Sequence, residues 1–239
     1  MLVTTLASSS SSPAVAVASS ISHRPRSSRD ATATATATAG GTDATAGAAK
    51  KRVLCLHGKG GNGASFARHL KPLLDATSET IEWYFADGHV REPNGGFGWW
   101  ELAPGVRTFQ ASELPGLDES LRGVRESGPW DGLFGFSQGA MLAALAAAEK
   151  DDSVTEFCVI VGAAWPACAA AKLEEVSDAG VRTLHVVGAR DGINPPEQAR
   201  RVAAAFGAGA RTFDHDGGHV VPMDEAVLRA YVEFILEDP

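Results

Sequence analysis

The chain has 239 residues, 44% of them hydrophobic, with a formal net charge of -8 and an isoelectric point near 5.4. That acidic balance argues against nucleic acid as a partner, because phosphate-neutralising surfaces leave a basic footprint. No apolar stretch reaches the roughly 18 residues of a membrane span. Cys55, Cys158 and Cys168 form neither a Cys-x-x-Cys pair nor a metal-like spacing, so no disulfide framework, no metal site and a reducing compartment are expected.

Residues 1–49 are built from Ser, Thr, Ala and Val, and they carry Arg24, Arg26 and Arg29 against Asp30 and Asp43. Such a segment buries too little apolar surface to fold, so a disordered leader is expected. Hydroxylated and poor in acids, it has the composition of an organelle transit peptide, chloroplast or other; an untargeted tail on a cytoplasmic protein is the alternative. Residues 50–239 are expected to form the folded domain, one charge more acidic than the whole.

From residue 50 onward, short apolar runs alternate with helical stretches, the order of a mostly parallel sheet with helices on both faces. Strands are expected at 52–57, 80–86, 131–136, 157–162, 182–188 and 211–215, and helices at 64–76, 112–127, 138–150, 197–206 and 222–237. In such sheets the reactive groups gather at the carboxyl ends of the strands. There stand His57-Gly58-Lys59, Ser137-Gln138, Asp191 and His219.

Gly135-Phe136-Ser137-Gln138-Gly139 lies between a strand and a helix. A sharp turn there lifts the Ser137 hydroxyl above the sheet, and the glycines admit the close backbone this requires. A serine becomes nucleophilic only when a base removes its proton and an acid orients the base. Asp191, directly after a strand, and His219, in Gly217-Gly218-His219, supply these in the expected chain order. His215 is the competing base; Asp214 and Asp216 are rival acids, and His185, mid-strand, reads as a core residue. The oxyanion donors are expected from the backbone N–H of Gln138 and from the Gly58-Lys59 loop, with the Lys59 side chain dispensable.

Residues 53–58 with Asn62 and Phe66, then Gly128-Pro129-Trp130-Asp131-Gly132 running into the Ser137 elbow, then 184–188 before Asp191, then Gly217-Gly218-His219 before Pro222, together resemble the FSH family of serine hydrolases. The resemblance spans residues 50–239. It implies an α/β-hydrolase fold and a carboxylesterase with a Ser137, Asp191, His219 triad; no segment is long enough for a large separate lid domain. The implied substrates are acyl or aryl esters of modest to long chain, with no cofactor. The chain departs from the family pattern at the extra glycines of Lys59-Gly60-Gly61-Asn62-Gly63 and at Ile193-Asn194-Pro195.

An acyl-protein thioesterase or lysophospholipase is the alternative, since those enzymes also favour a Gly-Phe-Ser-Gln-Gly elbow and thioesters pass through the same acyl-enzyme. A remoter alternative is a dinucleotide-binding oxidoreductase. Gly58-Lys59-Gly60-Gly61-Asn62-Gly63 is a G-x-G-x-x-G, and Asp87 lies where a ribose-binding acid would. A hydrolase fold kept only for binding would require a dead triad position, and none is dead. Trp99 and Trp100, in a glycine-hinged loop, and Trp165 are the candidate walls of an acyl pocket. The partner expected is a small-molecule ester, and the protein a monomer or weak homodimer.

Overall fold

The computed structural model describes residues 16–18, 49–149, 151–174, 176 and 180–237. Its strands are β1 (Ala16–Ala18), β2 (Lys51–Leu56), β3 (Ile81–Ala86), β4 (Val90–Arg91), β5 (Phe97–Gly98), β6 (Trp130–Phe136), β7 (Val154–Val161), β8 (Arg182–Gly188) and β9 (Ala210–His215). Its α-helices are α1 (Gly63–His69), α2 (Lys71–Ala76), α3 (Leu117–Ser127), α4 (Gln138–Ala148), α5 (Ala170–Glu174), α6 (Pro196–Ala205) and α7 (Glu225–Leu236). Apart from the hairpin β4-β5, the strands form one parallel sheet in the order β1-β3-β2-β6-β7-β8-β9. The fold is that of an α/β-hydrolase.

Period-two alternation sends side chains to two apolar layers. Leu54, Leu56, Leu133, Cys158 and Ile160 face α3, α4 and α6. Val53, Cys55, Phe134, Val159 and Val161 face α1, α2 and α7. Cys55 and Cys158 are thus buried hydrophobes, and burial pushes both thiols up, Cys158 to about 12. Each fully buried Leu or Phe in these layers is worth roughly 1.5–3 kcal/mol against exposure.

Several elements differ from expectation, among them α5 and β1, which were not expected, and β7, which begins at Val154 rather than 157. The first helix breaks at Leu70 into α1 and α2, because Pro72 has no N–H to continue the ladder. Helix α3 begins at Leu117 rather than 112, after Pro115 and Gly116, whose φ of 95° is outside the helical region. Helix α7 begins at Glu225, where the Asp224 carboxylate caps the N–H of Val227, rather than at Pro222. The hairpin β4-β5 has strands of two residues each, too short to leave a periodic signal.

Within the leader, the described residues Ala16–Ala18 run parallel to β3, Ala16 opposite Tyr84. The rest of residues 1–48 lies outside the described residues, and so do the transit-peptide and disorder expectations that concern it. Chain order reverses across β2, which has β3 on one side and β6 on the other. The crevice at the carboxyl ends of β2 and β6 is the switch point of the sheet, where such folds place their ligands.

Candidate active site

Ser137 follows β6 directly and precedes α4, with φ 54° and ψ -115°. A non-glycine residue at positive φ costs about 1–3 kcal/mol and is held only by its surroundings. Here the Ser137 N–H donates to Val161 O at 2.9 Å, and its carbonyl accepts the N–H of Met141 at 3.1 Å. The flanking glycines are demanded by space. A β-carbon on Gly135 would come within 2.3 Å of Gly139 O, and one on Gly139 within 2.0 Å of Leu56 O.

His219 lies on the loop after β9. Its Nδ1 is 2.7 Å from Asp191 Oδ2 and its Nε2 is 2.8 Å from Ser137 Oγ. A carboxylate only accepts, so Nδ1 carries the proton and Nε2 is the lone pair that receives the serine O–H. Asp191, after β8, is buried, and its Oδ1 accepts the N–H groups of Ile193 at 2.9 Å and Asn194 at 2.8 Å. One oxygen is thereby committed to the backbone and the other to the imidazole. This relay can take a proton from Ser137 and return it to a leaving group. The Phe136 ring packs against His219 with centroids 4.9 Å apart.

The rivals are placed elsewhere. His215 Nδ1 accepts the N–H of Gly217 at 3.1 Å, and Asp214 pairs with Arg200 at 2.8 Å. The Asp216 carbonyl receives Arg190 Nε. His185 is buried against Phe206, 3.0 Å from Thr183 Oγ1, and burial pulls its pKa down to about 3.

The glycine-rich loop is accounted for by the hairpin. Gly60 N–H donates to Phe97 O at 2.7 Å and Phe97 N–H to Gly61 O at 2.8 Å, so Gly61 forms an antiparallel bridge to Phe97 of β5. A β-carbon on Gly96 would stand 2.1 Å from Gly60 O. Asp87 accepts the N–H of Gly63 at 2.7 Å and Asn62 caps α1 through Ser65. A carboxylate of the protein thus occupies the helix end where a dinucleotide would put its pyrophosphate. Lys59 Nζ pairs with Glu92 at 2.7 Å.

His57 is a functional candidate that sequence reasoning named only by position. It is buried, its Nε2 accepts the N–H of Gly88 at 3.2 Å, and its Nδ1 is 2.8 Å from Gly58 O. Nδ1 therefore donates to Gly58 O, which also accepts the N–H of Gly61 at 3.0 Å. In a planar trans peptide the N–H points opposite to the C=O, so both bonds aim the Lys59 N–H away from them. Burial lowers the His57 pKa, outweighing the Gly58 carbonyl and the Asp87 charge.

Two further side chains carried no sequence signal of a role. The Gln138 side chain accepts the N–H of Trp99 at 2.9 Å and donates to Trp100 O at 3.0 Å. Asn194 Nδ2 donates to Gly162 O at 2.8 Å, and a β-carbon on Gly162 would sit 3.4 Å from the His219 ring.

The aromatic walls need correction. Trp99 and Trp100 are 1% and 0% exposed, and Trp99 Nε1 donates to His57 O at 2.7 Å. They anchor their loop onto the domain. Trp165 is buried as well, under the Arg201 guanidinium at 4.1 Å. A cavity of about 430 Å³ instead opens beside His219 and the Gly58-Lys59 loop, with Phe66, Phe136, Val220 and Val221 as its apolar wall. Among the described residues, no helix is long and apolar enough to cross a membrane.

A family model described as serine hydrolase (FSH1) matches residues 46–231. Esterase OVCA2 of Danio rerio is 29% identical over 222 residues, covering 79% of this chain and 97% of its own. Human esterase OVCA2 is 34% identical over 152 residues, covering 58% of this chain and 66% of its own. Among solved structures, esterase PE8 superposes with a TM-score of 0.61 at 20% identity over 81% of this chain and 96% of that one. Zea mays acyl-protein thioesterase 2 superposes with a TM-score of 0.53 at 19% identity over 78% of this chain and 94% of that one.

Proposed function

We propose, from the premise that the chain belongs to the FSH1 serine hydrolase family, that Ser137 is the nucleophile, His219 the general base and Asp191 the acid that orients it. The enzyme is a serine esterase acting on small-molecule esters; thioesters are the second substrate class compatible with the same chemistry. The observation that carries the assignment is the continuous relay from Asp191 Oδ2 through His219 to Ser137 Oγ, with both hydrogen bonds under 3 Å.

In acylation His219 Nε2 takes the Ser137 proton as Oγ attacks the ester carbonyl. The oxyanion is received by the N–H of Gln138, at the start of α4, and by the N–H of Lys59, with the helix amino terminus adding favourable potential. His219 returns the proton to the departing alcohol or thiol. Water then repeats the sequence on the acyl-enzyme.

The substrates proposed are acyl or aryl esters of modest to long chain, in keeping with the apolar wall beside the triad. The protein is read as a monomer or weak homodimer, because Val220 and Leu236 are the large apolar side chains exposed among the described residues and neither makes a broad patch. The leader is read as an organelle-targeting segment ahead of the catalytic body at 50–239. This rests on its acid-poor, hydroxylated composition, and a fluorescent fusion of residues 1–49 tests it.

The deciding experiment is Ser137→Ala. It is expected to abolish both hydrolysis of 4-nitrophenyl esters and labelling by a fluorophosphonate probe. Labelling that persists would remove Ser137 from its role.

A further inference from the structure

We infer that the cavity beside His219 is an alcohol site, and that the enzyme transfers acyl groups to apolar alcohols as well as to water. The inference rests on the esterase reading above and extends it from hydrolysis to a second reaction.

The base must hand its proton to the leaving oxygen, so the alcohol portion of an ester lies on the His219 side of the reacting carbon. On that side the chain builds a concave space of about 430 Å³ between α1 and the His219 loop. Its wall is Phe66 and Phe136 together with Val220 and Val221, the two residues that follow His219. Val220 is 50% exposed and lines the cavity, so its side chain is open to an apolar group bound there. Trp99, Trp100 and Trp165 are buried and take no part in this wall. His69 Nε2 donates to Val221 O at 2.7 Å, which ties the far side of the loop to α1 and keeps the space open.

Once the first alcohol has left, the same wall is bare while Ser137 still carries the acyl group. A second alcohol binding there competes with water. His219 Nε2 takes its hydroxyl proton, the alcohol oxygen forms the new bond to the acyl carbon, the bond from that carbon to Ser137 Oγ breaks, and the proton passes from His219 to Oγ. A new ester and free enzyme result, with no oxidant, reductant or other co-reactant. Water gains nothing from an apolar wall, whereas each methylene of an alcohol does, so the wall sets the partition between the two acceptors.

The test uses the full chain with 4-nitrophenyl butyrate and, in parallel, methanol, 1-butanol and 1-hexanol, measuring butyrate esters and butyric acid by chromatography. The ratio of ester to acid, at equal alcohol concentration, is expected to rise by about two- to fourfold per methylene from methanol to hexanol. Val220→Ser is expected to lower the hexanol ratio by about three- to tenfold with little change for methanol, and Val220→Leu to raise it. Both products come from one acyl-enzyme, so the ratio does not depend on how much of a variant is folded. A ratio that is flat from methanol to hexanol, or acid with no ester, overturns the transfer inference and leaves the esterase reading standing. Wild type that releases no nitrophenol at all overturns the esterase reading, and the transfer inference with it.

Discussion

Asn194 joins the loop of the acid to the loop beneath the base, its side-chain amide donating to the carbonyl of Gly162 at 2.8 Å across 32 residues of sequence. Its own N–H holds Asp191 Oδ1 at 2.8 Å, so one residue restrains both the acid and Gly162 beside the imidazole. Asn194→Ala leaves a buried carbonyl without a donor, costing about 1–3 kcal/mol in urea denaturation, and is expected to lower kcat by roughly tenfold or more. Asn194→Asp is expected to be worse in both assays, because an ionised carboxylate offers no donor. Equal stability of wild type and Asn194→Ala would refute the coupling.

The assignment of the base separates two nearby histidines. His219→Ala is expected to reduce kcat by about 10⁴-fold or more, on the scale of a lost triad member. His215→Ala, whose ring is engaged with the N–H of Gly217, is expected to stay within about tenfold of wild type. Similar residual activity in the two variants would contradict the assignment.

Lys59 is proposed to act through its backbone, with its side chain turned to Glu92. Lys59→Met is therefore expected to keep kcat/KM within about threefold, since an exposed ion pair contributes at most about 1 kcal/mol. A loss of a hundredfold, the scale of one missing oxyanion donor, would show that the ammonium itself meets the substrate.

Gln138→Met keeps the bulk of the side chain and removes its bonds to the Trp99 N–H and the Trp100 carbonyl. Two buried groups lose their partners, so about 2–4 kcal/mol of stability is expected to disappear, accompanied by a red shift of tryptophan emission as the loop loosens. An unchanged Tm and emission spectrum would show that the loop is anchored by the Trp99 and Trp100 rings alone.

Stability should fall on acidification because of His185. Below an ordinary imidazole pKa of 6.5, the unfolded chain takes up a proton that the folded chain, with His185 at about 3, does not. The unfolded state then binds more protons, so stability declines as pH drops from 6.5 towards 3, by at most about 1.4 kcal/mol per pH unit for this group. His57, also lowered by burial, acts in the same direction. His185→Leu is expected to flatten the decline between pH 6.5 and 5 in urea titrations. An unchanged slope would show that other groups dominate.

Much of the scaffold is legible before any coordinates. Strand β8 falls at the expected residues 182–188, and β2, β3, β6 and β9 lie within a residue of expectation. The inner strands β2, β6 and β8 are mostly buried, and strands buried on both faces are near-continuous apolar runs that are easily read. The convergence of Ser137, Asp191 and His219 was also readable, because a strand-turn-helix serine calls for an acid and then a base in that order. The direction of Trp99 and Trp100 was not, since a glycine-hinged loop permits either face. The side-chain roles of His57, Gln138 and Asn194 stayed silent for a related reason. Their partners are backbone groups of Gly58 and Gly88, of Trp99 and Trp100, and of Gly162, and a backbone amide has no letter in a sequence.

The hydrogen bond between Ser137 and His219 spans 82 residues of chain. At about 5–20 residues per second, a ribosome makes the serine some 4–16 s before the histidine. During that interval the proposed base is absent, and at first so is Val161 of β7, whose carbonyl accepts the Ser137 N–H in the finished elbow. The growing polypeptide is therefore silent towards cellular esters until β9 has joined β8 and swung its loop across the sheet. Appearance of turnover in a synchronised translation reaction would time the docking of that edge strand.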